Sequence, residues 1–320
     1  MLMRPKILSA DQLDEAVTEL RRAELVALPT ETVYGLAADA RNEEAIQKIF
    51  IAKGRPSDHP LIVHIESFER AYEWASHISE HAQQLAAHFW PGPLTMVFAK
   101  RPEISDLITG RQNTVALRVP KHPLFLSILN KLGDALVAPS ANAHQKISPT
   151  KPEHVIKSLG AKIAAIVEGG TCSVGIESTI IDMTKDTPVI LRPGAVTALM
   201  IENVLGIPIE CPFSHSEKVP GNMMIHYQPE KPLFLVTRDA LEQLAKTETK
   251  CAVMHYSNVA KTSTALYYRM PATKSDYAQC LYDTLHRIDN TEVEQIWVEI
   301  PPDVIEWSDI HDRLMKASHK

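Results

Sequence analysis

The chain lacks any pair of cysteines close enough to hold zinc or to act as a redox dithiol. Cys172, Cys211, Cys251 and Cys280 lie 29 to 40 residues apart. A chain of 320 residues buries a core without disulfide staples, so free thiols in a reducing, cytoplasmic setting are expected. Long hydrophobic runs are also missing. No segment reaches the roughly 18–20 apolar residues of a membrane helix. Arg4 and Lys6 are followed by Asp11, Asp14 and Glu15 rather than by the apolar stretch of a secretory signal. No membrane association is expected. Positive charge is not in excess: 33 Lys and Arg stand against 39 Asp and Glu, and residues 1–210 and 211–320 each carry a net −3. A dedicated nucleic-acid binder usually shows a basic excess on one domain, so there is no strong signal for direct nucleic-acid contact. Glycine is scarce, at 12 residues. Neither a GxGxxG fingerprint nor a P-loop supports cofactor binding in the C-terminal third. A nucleophile elbow, HExxH and a well-spaced Cys/His pair are absent as well, so no protein-bound metal and no covalent intermediate are expected.

What is present is an ordinary globular composition, 45% hydrophobic and 22% charged. The length suggests about two domains. Residues 1–206 read as mixed α and β. Ser9 to Gln12 fits a capping box ahead of a helix with Leu13, Ala16, Val17 and Leu20 on one face. Asn42 is placed to cap a helix running to about Ala52. Further helices are expected over about 79–90, 122–132, 151–159 and 197–205. Strands are expected at Leu25–Leu28, Leu61–Ile65, Leu94–Ala99, Val115–Val119, Leu136–Ala138, Ile163–Val167, Ser178–Asp182 and Val189–Leu191. Residues 207–232 hold Pro208, Pro212, Pro220, Pro229 and Pro232 and no sustained period, which reads as a long interdomain linker. Residues 233–320 alternate strands and helices like a small doubly wound α/β domain.

Four polar clusters follow expected strand ends, where open α/β sheets place ligands. Pro29 to Gly35 crowds two threonines, a carboxylate and a phenol into one turn, which read alone is also an ordinary satisfied turn. Lys53-Gly54-Arg55-Pro56-Ser57-Asp58-His59-Pro60 sets two cations on a stiffened loop. Lysine as a point charge and arginine as a fork suit a polyphosphate; a solvated basic loop is the plainer alternative. His64, in an apolar run, reads by default as a hydrogen-bonded core residue. Thr114, Ala116 and Arg118 share one strand face by the period of two. Arg118 needs an anionic partner, either a substrate carboxylate or an internal Asp or Glu. The fourth cluster is split between Ala138-Pro139-Ser140-Ala141-Asn142 with Ser148, Gly175 to Asp182 and Leu191-Arg192-Pro193-Gly194. Four cations, Lys53, Arg55, Arg118 and Arg192, interleaved with Ser/Thr turns suit a ligand with several phosphates and a carboxylate. The chemistry is then positioning and charge neutralisation.

The ordered series P-T-E-T-V-Y-G-L, K-G-R-P…H-P-L, W-P-G-P-L-T, T-V-A-L-R-V-P, A-P-S-A-N, E-S-T-I-I-D and L-R-P-G-A, from about residue 10 to 206, resembles the YrdC-type catalytic domain of the threonylcarbamoyl-AMP synthases. Pro220 to Pro229 is similar to the P-G-x-x-x-x-H-Y-x-P linker of the two-domain form, and Asp312 to Ala317 to the end of its C-terminal domain. The resemblance implies a twisted open α+β sheet of the YrdC type followed by a smaller Rossmann-like α/β domain. It implies formation of threonylcarbamoyl-AMP and pyrophosphate from L-threonine, bicarbonate or CO2 and ATP, with Mg2+ on the triphosphate, for the tRNA threonylcarbamoyl-transfer machinery. It places Thr32, His64, Arg118, Ala138 and Ser178 around threonine. Arg55, His59, Thr114, Ser140, Ser148, Arg192 and Tyr227 then contact ATP, with Lys53 also near the phosphates. Lys53, Arg55 and Arg118 are the residues expected to carry catalysis, and residues 207–232 form a lid carrying Tyr227. Two places in the chain depart from the family pattern. His59 stands where Asn is usual, and Met223, Met224 and Ile225 stand where the linker more often has Lys and Tyr. An RNA-binding protein of the same fold without synthase activity is the alternative. A carbamoyltransferase of the hydrogenase-maturation type would need zinc-finger and acylphosphatase-like domains that the cysteine spacing does not support.

Overall fold

The structure, a computed structural model, describes residues 4–212, 219–221, 226–247, 250–261 and 265–318. Met223, Met224 and Ile225 therefore lie outside the described residues. The strands of the N-terminal part are Lys6–Leu8 (β1), Val26–Leu28 (β2), Gly35–Asp39 (β3), Ile62–His64 (β4), Leu94–Ala99 (β5), Thr114–Arg118 (β6), Leu136–Val137 (β7), Ala165–Val167 (β8), Thr179–Asp182 (β9) and Val189–Arg192 (β10). They form one mixed sheet in the order β1-β8-β2-β3-β7-β4-β6-β5-β9-β10. The helices of this part are Leu13–Arg21 (α1), Glu43–Lys53 (α2), Glu80–Phe89 (α3), Asp106–Thr109 (α4), Pro123–Leu132 (α5), Pro152–Leu159 (α6) and Ala198–Leu205 (α7).

Every helix and strand expected in this part forms, with ends shifted by a residue or two. Two strands were not anticipated. β1 is a three-residue edge strand in which only Leu8 is buried, too short to show a period. β3 starts at the last residue of the turn motif and holds only Leu36, Ala37 and Ala38 as its apolar run. Asn42 caps α2 as expected, its Oδ1 accepting from Ala45 N at 3.2 Å. Ser9 does not cap α1. The N-cap is Gln12 with no side-chain cap bond, and Ser9 N instead donates to Gln12 Oε1 at 3.1 Å. A serine three residues before the first turn can make these bonds to the loop and leave the helix to start later.

The second sheet contains Leu233–Val236 (β11), Cys251–His255 (β12), Leu266–Arg269 (β13) and Gln295–Glu299 (β14). It is fully parallel, in the order β11-β14-β12-β13. Arg238–Thr247 (α8) covers one face over Cys251 and Val253. Lys274–Asp289 (α9) and Ser308–Ala317 (α10) cover the other, over Ala252, Met254, Ile296 and Val298. That three-layer arrangement is what near-continuous apolar strands between amphipathic helices produce.

The apolar core under α9 and α10 does not stop at the domain. Val33, Ile147, Ile176 and Tyr227 belong to it together with Tyr277, Tyr282, Ile310 and Leu314. Gly175, at φ +82, lies so close to α9 that a Cβ there would stand 2.4 Å from Gln279 Cα. Polar contacts flank this seam: Lys151 pairs with Asp283 at 2.7 Å, and His154 stacks on His286 with centroids 3.8 Å apart. The sequence elements that line the ligand cavity thus sit beside the domain boundary.

Candidate active site

The Thr30–Val33 turn shows why threonine is needed twice. Thr30 Oγ1 accepts from Thr32 N at 3.0 Å and Val33 N at 3.1 Å and donates to Val33 O at 2.7 Å. This Ser/Thr turn presents Thr32 to the neighbouring strands. On β6, Arg118 is 4% exposed and lies beside His64 of β4 in register. Its Nη2 donates to Thr32 Oγ1 at 3.0 Å and its Nε to Gly92 O at 3.2 Å. The open question about its anionic partner has an internal answer: Nη2 also stands 2.7 Å from Glu31 Oε1. That contact is a charge pair rather than an aligned hydrogen bond, since Oε1 has no hydrogen-bond donor.

A cavity partly open to solvent, enclosing about 520 Å3 of space when its open mouth is included, runs between these strands and the linker. Thr32, His64, Arg118, Ala138 and Ser178 line it, and so do Arg55, Ser140, Arg192 and Tyr227. One space therefore brings together nine of the expected residues. Ser178 Oγ is 2.8 Å from Thr95 Oγ1. Arg192 donates to Ser178 O from Nε and Nη2 at 3.0 and 2.8 Å and to Pro220 O from Nη1 at 2.9 Å. It thereby ties the middle of the linker to β10. Gly221, at φ +80, is needed next: a Cβ there would lie 2.3 Å from the Tyr227 hydroxyl.

Four expected contacts do not line the cavity. Lys53 is 4% exposed and donates to the carbonyls of Ser140 and Asn142 at 2.5 and 2.6 Å. Its ammonium fixes the Ser140 loop, and Lys53 is not among the residues that line the cavity. Burial, with Arg55 nearby, pulls its pKa well below the ordinary lysine value. Ser148 is fully buried and donates to Glu177 Oε1 at 2.5 Å. Thr114 begins β6, paired with Ala99, four residues before Arg118. His59 turns its ring toward His144, with centroids 5.4 Å apart. Lys53 and Ser148 are thus engaged by neighbouring carbonyls and by a carboxylate.

Lys53→Met is accordingly expected to destabilise the Ser140 loop, because two carbonyls lose their donor at about 1–3 kcal/mol each. A melting curve checks this; an unchanged melting temperature would contradict it.

His64 is 2% exposed, its Nδ1 has no partner, and its ring packs 5.2 Å from Phe125. Burial and then Arg118 hold its pKa down at about 3, so a neutral imidazole faces the cavity. Burial likewise lowers His154 to about 3 and His286 to about 4. The unfolded chain takes up protons on these rings below about pH 6.5, and the folded chain does not until pH falls toward these values. The stability they contribute is complete above pH 6.5 and is lost on acidification. The melting temperature is expected to fall by about 5 °C or more between pH 7 and pH 5; a flat profile would contradict it.

Three residues of the site were not foreseen. Glu31 was seen only as part of a crowded turn. Glu177 lines the cavity and is bound by Ser148, by Tyr282 Oη at 3.0 Å and by Arg313 Nε at 2.8 Å. Burial raises its pKa, but Arg313, Arg192 and the Ser148 bond outweigh this and hold it down at about 2. Arg313, 1% exposed, comes from α10 of the other domain. The readable signal was an arginine within the apolar stripe Trp307, Ile310, Leu314 and Ala317.

A mixed sheet whose strand ends carry an arginine-lined cavity, roofed by a linker and backed by a parallel α/β domain, defines a two-domain enzyme of the YrdC class. Residues 18–194 match the family described as "Telomere recombination", and residues 196–319 match the "Threonylcarbamoyl-AMP synthase, C-terminal domain". The threonylcarbamoyl-AMP synthase of Bacillus subtilis is 38% identical, over 96% of this chain and 93% of that protein. The synthase of Pyrococcus abyssi is 38% identical over 93% and 92%. The crystal structure of Pyrococcus abyssi Sua5 complexed with L-threonine superposes with a TM-score of 0.91 at 36% identity, covering 99% of this chain and 98% of that one. The structure of Escherichia coli YciO, at 21% identity and a TM-score of 0.54, shares the fold over 59% of this chain. The chain belongs to the threonylcarbamoyl-AMP synthases, a family of nucleotidyl-transferring enzymes. No helix among the described residues is long and apolar enough to cross a membrane.

Proposed function

We propose that this protein makes L-threonylcarbamoyl-AMP and pyrophosphate from L-threonine, bicarbonate or CO2 and ATP. The observation that carries this reading is the single cavity in which Arg118, Thr32 and Ser178 stand together with Arg55, Arg192, Ser140 and Tyr227. Arg118 and Thr32 suit the carboxylate and hydroxyl of a small amino acid. Arg55 and Arg192 suit the charge of a triphosphate. The relative crystallised with L-threonine supports threonine as the amino acid.

The reaction needs no protein nucleophile. The threonine amine, as the free base, adds to CO2 and gives up a proton to solvent, leaving a carbamate. A carbamate oxygen attacks the α-phosphorus of ATP, the bond to the bridging oxygen breaks, and pyrophosphate leaves with that electron pair. The protein positions the reactants in line and neutralises charge at the phosphorus. Neutral His64 adds no positive charge of its own beside the reacting groups. Pro220, Gly221, His226 and Tyr227 roof the cavity and exclude water from a hydrolysable mixed anhydride. Among the described residues no group of three His, Cys, Asp or Glu could hold a metal. Mg2+ would enter on the triphosphate, bound by its oxygens and by water.

The product serves the machinery that transfers threonylcarbamoyl to tRNA, in the cytoplasm. The test is incubation with labelled bicarbonate, ATP, Mg2+ and threonine, followed by mass spectrometry. Label in a threonylcarbamoyl adenylate supports the reading, and adenylate without label would reject it.

A further inference from the structure

Glu177 poses a problem for a cavity that takes a nucleoside triphosphate. It is an ionised carboxylate on the wall of the same space as Arg55 and Arg192, and a polyphosphate brought beside it would be repelled. The carboxylate is compensated from across the domain boundary. Arg313 Nε meets its Oε2 at 2.8 Å, with the arginine side chain fully buried and the glutamate 9% exposed. Arg313 Nη2 reaches on to Pro193 O at 3.1 Å, next to Arg192. The guanidinium carbon lies 5.2 Å from the centroid of the Tyr227 ring, within cation–π range.

The same helix holds both ends of the roof. His226 N donates to Lys316 O at 3.0 Å, and Lys316 Nζ donates to Gly221 O at 2.7 Å. Tyr227 sits at φ +62, a backbone state that a tyrosine holds only when its surroundings impose it. Its hydroxyl is buried and has no partner.

We propose that Arg313 of the C-terminal domain is a positioning residue for the nucleotide: it cancels the charge of Glu177 on the cavity wall and supports Tyr227 in its roofing pose. The C-terminal domain thereby completes the nucleotide half of the site. This rests on the reading of the cavity as an ATP and threonine site.

The test is calorimetric titration of the full-length chain with ATP–Mg2+ and, separately, with threonine. It compares wild type, Arg313→Gln, Arg313→Lys and the double variant Arg313→Gln with Glu177→Gln. Arg313→Gln is expected to weaken ATP at least tenfold and threonine less than threefold. The double variant, having lost the uncompensated carboxylate, is expected to regain most of the ATP affinity. A purely structural arginine would instead cost ATP and threonine affinity alike, in step with the melting temperature. If Arg313→Gln does not fold, Arg313→Lys carries the test, with a smaller ATP loss that Glu177→Gln also reverses. Unchanged ATP affinity in a folded single variant, or no recovery in the double variant, overturns the inference. A wild-type chain that binds neither ATP nor threonine instead overturns the reading of the cavity.

Discussion

Arg118→Ala is expected to abolish threonine-dependent pyrophosphate release, with kcat/KM for threonine falling by about 100-fold or more. Two losses add up. The substrate carboxylate loses a charge-assisted partner, at roughly 1.5–3 kcal/mol per bond. Glu31, 6% exposed, is left as an uncompensated buried charge, at about 3–5 kcal/mol. The second loss acts on folding as well as on binding, so a melting curve belongs beside the assay. Pairing Arg118→Ala with Glu31→Gln separates them. The double variant is expected to recover most of the melting temperature and none of the threonine use. Recovery of both would mean that Arg118 serves the fold and not the substrate.

Removal of residues 207–320 is the second large effect. It takes away Tyr227 and the linker turn that Arg192 holds. It also takes Arg313, Tyr282 and His286, which respectively pair with Glu177, bond Glu177 and meet Ser148 O at 3.1 Å. Val33, Ile147 and Ile176, at most 6% exposed in the whole chain, become surface. An isolated 1–206 fragment is expected to be less stable and to lose nucleotide affinity more than threonine affinity, because Glu31, Thr32 and Arg118 all remain. Turnover equal to that of the full chain would show that the roof is dispensable. Calorimetry and steady-state kinetics on both forms give the comparison.

These expectations also mark what was legible in the chain alone. Periodicity located nearly every helix and strand because most of them carry a long apolar face or a clear cap, as Asn42 does for α2. It missed β1, β3 and the four-residue α4, each with too few apolar residues to show a period. The motifs located the cavity through Thr32, His64, Arg118, Ser140, Ser178 and Arg192, since each ends or borders a strand. They could not say which group of a loop faces the ligand. Lys53 and Arg55 are two residues apart on one loop, yet one fixes a backbone and the other lines the space. That choice depends on where the Ser140 and Asn142 carbonyls lie, almost ninety residues away. Arg313 was hidden for a similar reason. Its partner Glu177 is 136 positions away, and an arginine in an apolar stripe reveals only that some anion must meet it.

The account stands most directly on selectivity among amino acids. The full-length chain should be given ATP, Mg2+ and bicarbonate with each amino acid in turn, and pyrophosphate scored. Threonine is expected to support release, serine and valine far less because each lacks one of threonine's two branches, and the rest not at all. Equal release with every amino acid, or none with threonine, would contradict a site built from Arg118, Thr32 and Ser178 around that substrate.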